Sequence, residues 1–138
     1  AGAHNRAPRP SGSALAMSVA IVSVHYEPAR VAPTLGTLEP IVARSEASPV
    51  VLVANAEDAR DVLESTSQPR PEGWTLVRHD NTGMEFGAYQ AGLDRVLAVE
   101  DPDWVVFVND TFSVHQVFPP AYVDNLLAHV GRDVSHAV

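Results

Sequence analysis

The chain has 138 residues, enough for one domain with its own core and too few for two. Nine arginines and no lysine stand against 17 acidic residues, a net charge of −8, which speaks against nucleic-acid backbones and anionic membrane surfaces as partners. The absence of cysteine excludes a disulfide framework and any thiolate zinc site, and no apolar run approaches the ~18–20 residues of a membrane helix.

Residues 1–16 are rich in Ala, Pro, Arg, Gly and Ser and lack the apolar core of a secretion signal. Residues 1–17 read as a flexible N-terminal arm or tag remnant, and the fold is expected over residues 18–138. Val19–Val24 is a buried-type strand that ends in His25-Tyr26-Glu27-Pro28. Leu35, Leu38, Ile41 and Val42 recur at helical spacing between Pro33 and Arg44, with Pro40 expected to kink or shorten that helix. Pro49–Val53 is a second strand leading to Asn55, and Asn55 or Glu57 opens a short helix through Ala59, Val62 and Leu63.

After a Pro-rich loop, Trp74–Arg78 reads as a third strand ending in His79-Asp80-Asn81-Thr82-Gly83. A helix follows from about Glu85 to Val99, with Phe86, Tyr89, Leu93, Val96 and Leu97 as its expected buried stripe. Trp104–Val108 reads as a fourth strand, central and covered on both faces, running into Asn109-Asp110-Thr111. Pro119 and Pro120 suit the first turn of a last helix, and Asp133–Val138 has the pattern of a fifth strand.

Strand–helix alternation gives βαβ units, hence an α/β fold with a mostly parallel sheet of four to five strands flanked by helices. In such a sheet all strand ends share one rim, so His25, Tyr26, Glu27, Asn55, His79, Asn81, Asn109 and Asp110 converge there. Ligands of open parallel sheets bind at that rim. Asn and Asp are also ordinary turn residues, which is the plainer account of each taken singly.

Asn81-Thr82-Gly83-Met84-Glu85-Phe86-Gly87-Ala88-Tyr89-Gln90-Ala91-Gly92 places three glycines at or inside a helix start, where each interior one costs up to ~1 kcal/mol against Ala. Gly83 suits a positive φ at the turn, while Gly87 and Gly92 permit close approach by either a ligand or a packed backbone. The spacing and position are wrong for a dinucleotide fingerprint, and a P-loop needs a lysine.

Three segments together carry a resemblance: Val24-His25-Tyr26-Glu27, Asn81-x-Gly83-x-Glu85-Phe86-Gly87-Ala88-Tyr89, and Val106-Phe107-Val108-Asn109-Asp110-Thr111. In order and spacing they resemble the bacterial rhamnan-synthesis type of glycosyltransferase, within the family 2-like, GT-A-fold enzymes. The resemblance spans roughly residues 18–138 and implies the Rossmann-like nucleotide-binding half of that fold. It implies a nucleotide-diphosphate sugar, UDP- or dTDP-linked, as ligand, with Tyr26 and Glu27 lining the nucleotide pocket. By the same resemblance Asn55 sits near the base, Asn81 and Gly83 shape the floor, and Asn109-Asp110 meets the diphosphate. Asp110 then takes the place of the metal-binding Asp-x-Asp motif and holds Mn²⁺ or Mg²⁺, which stabilises the leaving diphosphate.

Two departures stand out. Glu85 replaces the commoner Asp, and Thr111 leaves the triplet with one carboxylate. The resemblance further implies an inverting sugar transfer to a growing cytoplasmic glycan, at the inner membrane face through partners. The acceptor half and the general base are then expected outside this chain, in a further segment, a second chain or another copy. Its rival is a non-catalytic nucleotide-binding or interaction module on the same scaffold. A receiver-like regulatory domain needs a paired acidic cluster and a distal lysine, and a metal site built from His25, His79, His115 and Asp110 lacks a tight spacing motif.

Overall fold

The computed structural model describes residues 17–65, 70–111, 124, 125 and 128. Along these run β1 (Val19–His25), a 3-10 turn (Pro28–Arg30), α1 (Val31–Ser45), β2 (Val50–Ala54), α2 (Glu57–Glu64), β3 (Thr75–Arg78), α3 (Met84–Val99) and β4 (Trp104–Asn109). The strands form one all-parallel sheet in the order β3-β2-β1-β4. The architecture is therefore α/β, a four-strand parallel sheet flanked by helices, consistent with a Rossmann-like half-fold. The expected fifth strand and His115 lie outside the described residues, and of the expected last helix only Asp124, Asn125 and Ala128 are described, all helical.

Every residue of β1 and β2 is buried, Ser23 and His25 included, as their near-continuous apolar runs require of strands covered on both faces. Alternation divides the core in two. Val19 and Ile21 of β1 join Leu52 of β2, Leu35 and Leu38 of α1, and Leu63 of α2 on one face. Ala20, Val22 and Val24 join Val51 and Val53 with Ala88 and Val96 of α3 on the other. Each fully buried Val or Leu contributes ~1.5–3 kcal/mol, so the two central strands dominate the stability.

The chain steps from β1 outward to β2 and β3, then α3 carries it back across the opposite face to β4. The direction of winding thus reverses between β1 and β4, which makes that gap the switch point of the sheet.

Three expectations change. β4 has β1 as its one neighbour among the described residues, and against the expected cover on both faces its residues are only partly buried, with Phe107 exposed. An apolar run by itself fixes neither the cover above and below a strand nor its in-plane neighbour. The buried face of α3 is Ala88, Gly92 and Val96, whereas Phe86 is 82% exposed and Leu97 44% exposed. Large apolar residues drew the expected stripe, yet the helix approaches the sheet through its small residues. A Cβ at Gly92 would lie 2.3 Å from Val22 Cγ1, so Gly92 serves helix–sheet packing. Finally, α1 is not shortened at Pro40, which lies on its exposed side. The carbonyl that loses a partner there belongs to Gly36, also exposed, and water can satisfy it.

Candidate functional site

The carboxyl rim is tied together by side-chain amides and one carboxylate. At the switch point, Asp110 Oδ2 accepts hydrogen bonds from the backbone N–H of Tyr26 (3.0 Å) and of Glu27 (2.7 Å). One oxygen of a buried carboxylate therefore fixes the loop after β1 to the end of β4. Beside it, Asn109 Oδ1 accepts from Thr111 N–H at 3.0 Å and from the Thr111 hydroxyl at 2.5 Å. Asn109 Nδ2 donates to Glu85 Oε1 at the start of α3, and the same oxygen accepts from the Tyr89 hydroxyl at 2.5 Å. Burial and the neighbouring Glu85 carboxylate raise Tyr89 above the usual phenol range, so its hydroxyl stays a donor.

A second knot centres on Asn55, which is buried. Its Nδ2 donates to Asn81 Oδ1 at 2.8 Å and more weakly to the Met84 carbonyl at 3.4 Å. Its Oδ1 accepts from His79 Nδ1 at 2.7 Å, which assigns the proton to that ring nitrogen. The loop so held is bent sharply: Asn81, Gly83 and Met84 have φ of 68°, 74° and 55°. Asn and Gly adopt that region readily, but Met does not, so Met84 sits in a conformation its sequence disfavours. Asp80 supports the bend by accepting from Thr82 N–H at 2.9 Å, and its hydrogen bonds with Thr82 hold its pKa below the usual carboxylate value.

These knots border two adjoining cavities. The larger, about 740 Å³, lies over the ends of β2 and β3 between Asn55, Glu57, Arg60, Arg78, His79 and Asn81. The smaller, about 390 Å³, lies at the switch point between Arg30, Met84, Glu85, Asn109, Asp110 and Thr111. Tyr26, Asn55 and Asn81 belong to the walls of both.

The structure brings Tyr26, Asn55, Asn81, Asn109 and Asp110 together as expected of one rim. Glu27 and Gly83 are in neither wall; Glu27 contributes its backbone N–H to Asp110, and Gly83 supplies the left-handed turn ahead of α3. Gly87 answers to packing: a Cβ there would lie 1.9 Å from the Thr82 carbonyl oxygen. Sequence reading passed over Arg30, Arg60, Arg78 and Met84. Arg30 had a signal, being a cation three residues past Glu27 in an acidic chain.

His25 belongs to the interior, not the solvated rim. It is fully buried, pairs with Ala54 across the sheet and shares a 3.0 Å hydrogen bond between Nε2 and Ser23 Oγ. Its Nδ1 has no partner among the described residues. Burial lowers its pKa from 6.5 to about 4, although Asp110 nearby pulls the other way. The folded state thus resists a proton that the unfolded chain accepts. Above pH 6.5 neither state binds it and no penalty arises; between pH 6.5 and about 4 stability falls as pH falls, by on the order of 3 kcal/mol in all. Urea midpoints measured from pH 7 to 4 are expected to show this slope, and His25→Gln is expected to flatten it. An equal slope in both proteins would refute the assignment to His25.

A divalent cation finds few free donors here. One oxygen of Asp110 and one of Glu85 are already engaged, and among the described residues no three His, Cys, Asp or Glu side chains are grouped to hold a metal. No described helix is long and apolar enough to cross a membrane. Comparison of the chain with protein-family models, curated proteins and solved structures finds no match.

Proposed function

We propose that the carboxyl rim binds a nucleotide-diphosphate sugar, and that the protein serves glycosyl transfer in polysaccharide or cell-surface glycan synthesis. The observation that carries this reading is the pair of adjoining cavities at the switch point, one over β2 and β3 and one beside Asp110. The larger fits a base and ribose, with the Asn55 and Asn81 amides and His79 as polar partners. The smaller fits the diphosphate and the anomeric carbon, and a Mn²⁺ or Mg²⁺ ion bound with the diphosphate would meet Asp110. The motif resemblance to rhamnan-synthesis glycosyltransferases agrees with this division.

In the proposed transfer the bond between the anomeric carbon and the diphosphate oxygen breaks, and an acceptor hydroxyl oxygen forms the new bond to that carbon. The hydroxyl proton passes to a general base, and the nucleoside diphosphate leaves. Glu85 is poorly suited as that base, because its Oε1 already accepts from Tyr89 and Asn109. The base and the glycan acceptor site then lie outside the described residues, with the reaction in the cytoplasm where nucleotide sugars are made. The same engaged carboxylate favours a second reading, a nucleotide-binding module without catalysis of its own.

Calorimetric titration with UDP and dTDP, with and without Mn²⁺, tests the shared claim. Binding of either nucleotide in the micromolar to millimolar range is expected. Absence of binding by both under every condition would overturn the reading.

A further inference from the structure

Among the described residues Arg30 is the one cationic residue in the wall of the smaller cavity. Its wall also contains two acidic residues, yet each directs an oxygen to neutral donors. Asp110 Oδ2 takes the Tyr26 and Glu27 N–H groups, and Glu85 Oε1 takes the Tyr89 hydroxyl and the Asn109 amide. Among the described residues no carboxylate pairs with Arg30, whereas Arg44, Arg60 and Arg78 each form an ion pair. A guanidinium carries five N–H donors and a charge that no accessible pH removes, and its planar fork matches two phosphate oxygens at once.

The backbone fixes Arg30 at this place through two linked hydrogen bonds. Its N–H donates to the Glu27 carbonyl at 3.0 Å, closing the 3-10 turn, and Glu27 in turn is held by Asp110 at 2.7 Å. Asp110 therefore anchors the turn that carries the cation. Arg30 also stands at the N-cap of α1, a 15-residue helix with no acidic residue in its first turn and no side-chain cap on its N–H groups. The positive end of that helix adds to the field at the same spot.

We propose that Arg30 is the diphosphate-binding residue of this rim, and that a nucleoside diphosphate is held there by the guanidinium without need of a divalent cation. Asp110 is then a positioning residue for Arg30. The proposal rests on the nucleotide-diphosphate reading above.

The test is titration of the full chain with UDP, and separately with uridine, in EDTA and in Mn²⁺, for the wild type, Arg30→Lys and Arg30→Gln. Thermal midpoints of the variants are measured alongside to establish that they fold. The wild type is expected to bind UDP in EDTA, and Arg30→Gln to bind it at least about tenfold more weakly, the loss of a charged hydrogen-bonding group. Arg30→Lys, which keeps the charge and loses the fork, is expected to fall between them. Uridine, which has no phosphate, is expected to bind the wild type and Arg30→Gln alike. UDP binding that needs Mn²⁺, or that is unchanged in Arg30→Gln, would overturn the role of Arg30 while leaving the nucleotide reading intact. Equal loss of uridine in Arg30→Gln would also overturn it, and failure of the wild type to bind UDP at all would overturn both.

Discussion

Gly87→Ala is expected to destabilise the protein by ~3 kcal/mol or more, and its urea midpoint should fall accordingly. The added Cβ would stand 1.9 Å from the Thr82 carbonyl oxygen and 3.0 Å from the Thr82 carbonyl carbon. Both are backbone atoms, so no rotamer change relieves the overlap. The Thr82 peptide sits between Asn81 and Gly83, both at positive φ, and Asn81 is bonded to the buried Asn55 amide at 2.8 Å. Moving Thr82 away therefore disturbs the loop that borders both cavities. Overpacking of a well-filled interior usually costs ~1–3 kcal/mol, and a backbone collision lies at the upper end. Gly36→Ala is the control, since a Cβ there meets nothing within 4 Å on an exposed helical position. That change is expected to stabilise by ~0.5–1 kcal/mol. A Gly87→Ala protein within ~0.5 kcal/mol of the wild type would contradict the described contact between the loop and α3.

Asp110→Ala is expected to lower stability by ~2–4 kcal/mol in buffer free of metal, and to abolish nucleotide binding. The substitution strips the acceptor from two backbone N–H groups, and hydrogen bonds to a charged group are worth ~1.5–3 kcal/mol each. The loop after β1 is then free to leave the end of β4, taking Tyr26 and Arg30 out of the cavity walls. Asp110→Asn retains a side-chain oxygen at the same reach and is expected to recover most of the stability. A residue whose work was only to hold a cation would behave differently: Asp110→Ala would leave metal-free stability unchanged. Urea denaturation of the three proteins in EDTA separates the two cases.

The parallel sheet was legible in the sequence because β1 and β2 are apolar at every position but Ser23 and His25, the usual pattern of strands covered on both faces. The same signature overstated the cover of β4. Val105-Val106-Phe107-Val108 is as apolar as a strand buried on both faces, yet it is only partly buried and Phe107 is exposed. For α3 the difficulty was size. Ala88 and Gly92 carry almost no hydrophobic signal, yet it is their smallness that lets the helix rest on Val22 and Val53. His25 ended an apolar strand and so read as a rim residue, whereas the register continues the sheet through it to Ala54.

At the site, the meeting of Asn55, Asn81, Asn109 and Asp110 followed from parallel strands alone. What they do there did not. Asp110 Oδ2 is engaged by the loop after β1 through two N–H groups that no side-chain pattern announces. Arg30 enters the cavity through a 3-10 turn, an element too short for periodicity to reveal.

The measurement that tests the central claim most directly is a two-dimensional amide NMR titration of the labelled protein with UDP. The account predicts shifts concentrated at Tyr26, Glu27, Arg30, Asn55, His79, Asn81, Asp110 and Thr111, with the far ends of the strands, Val19, Val50 and Trp104, left unmoved. Shifts centred on those far ends, or none at saturating UDP, would contradict it.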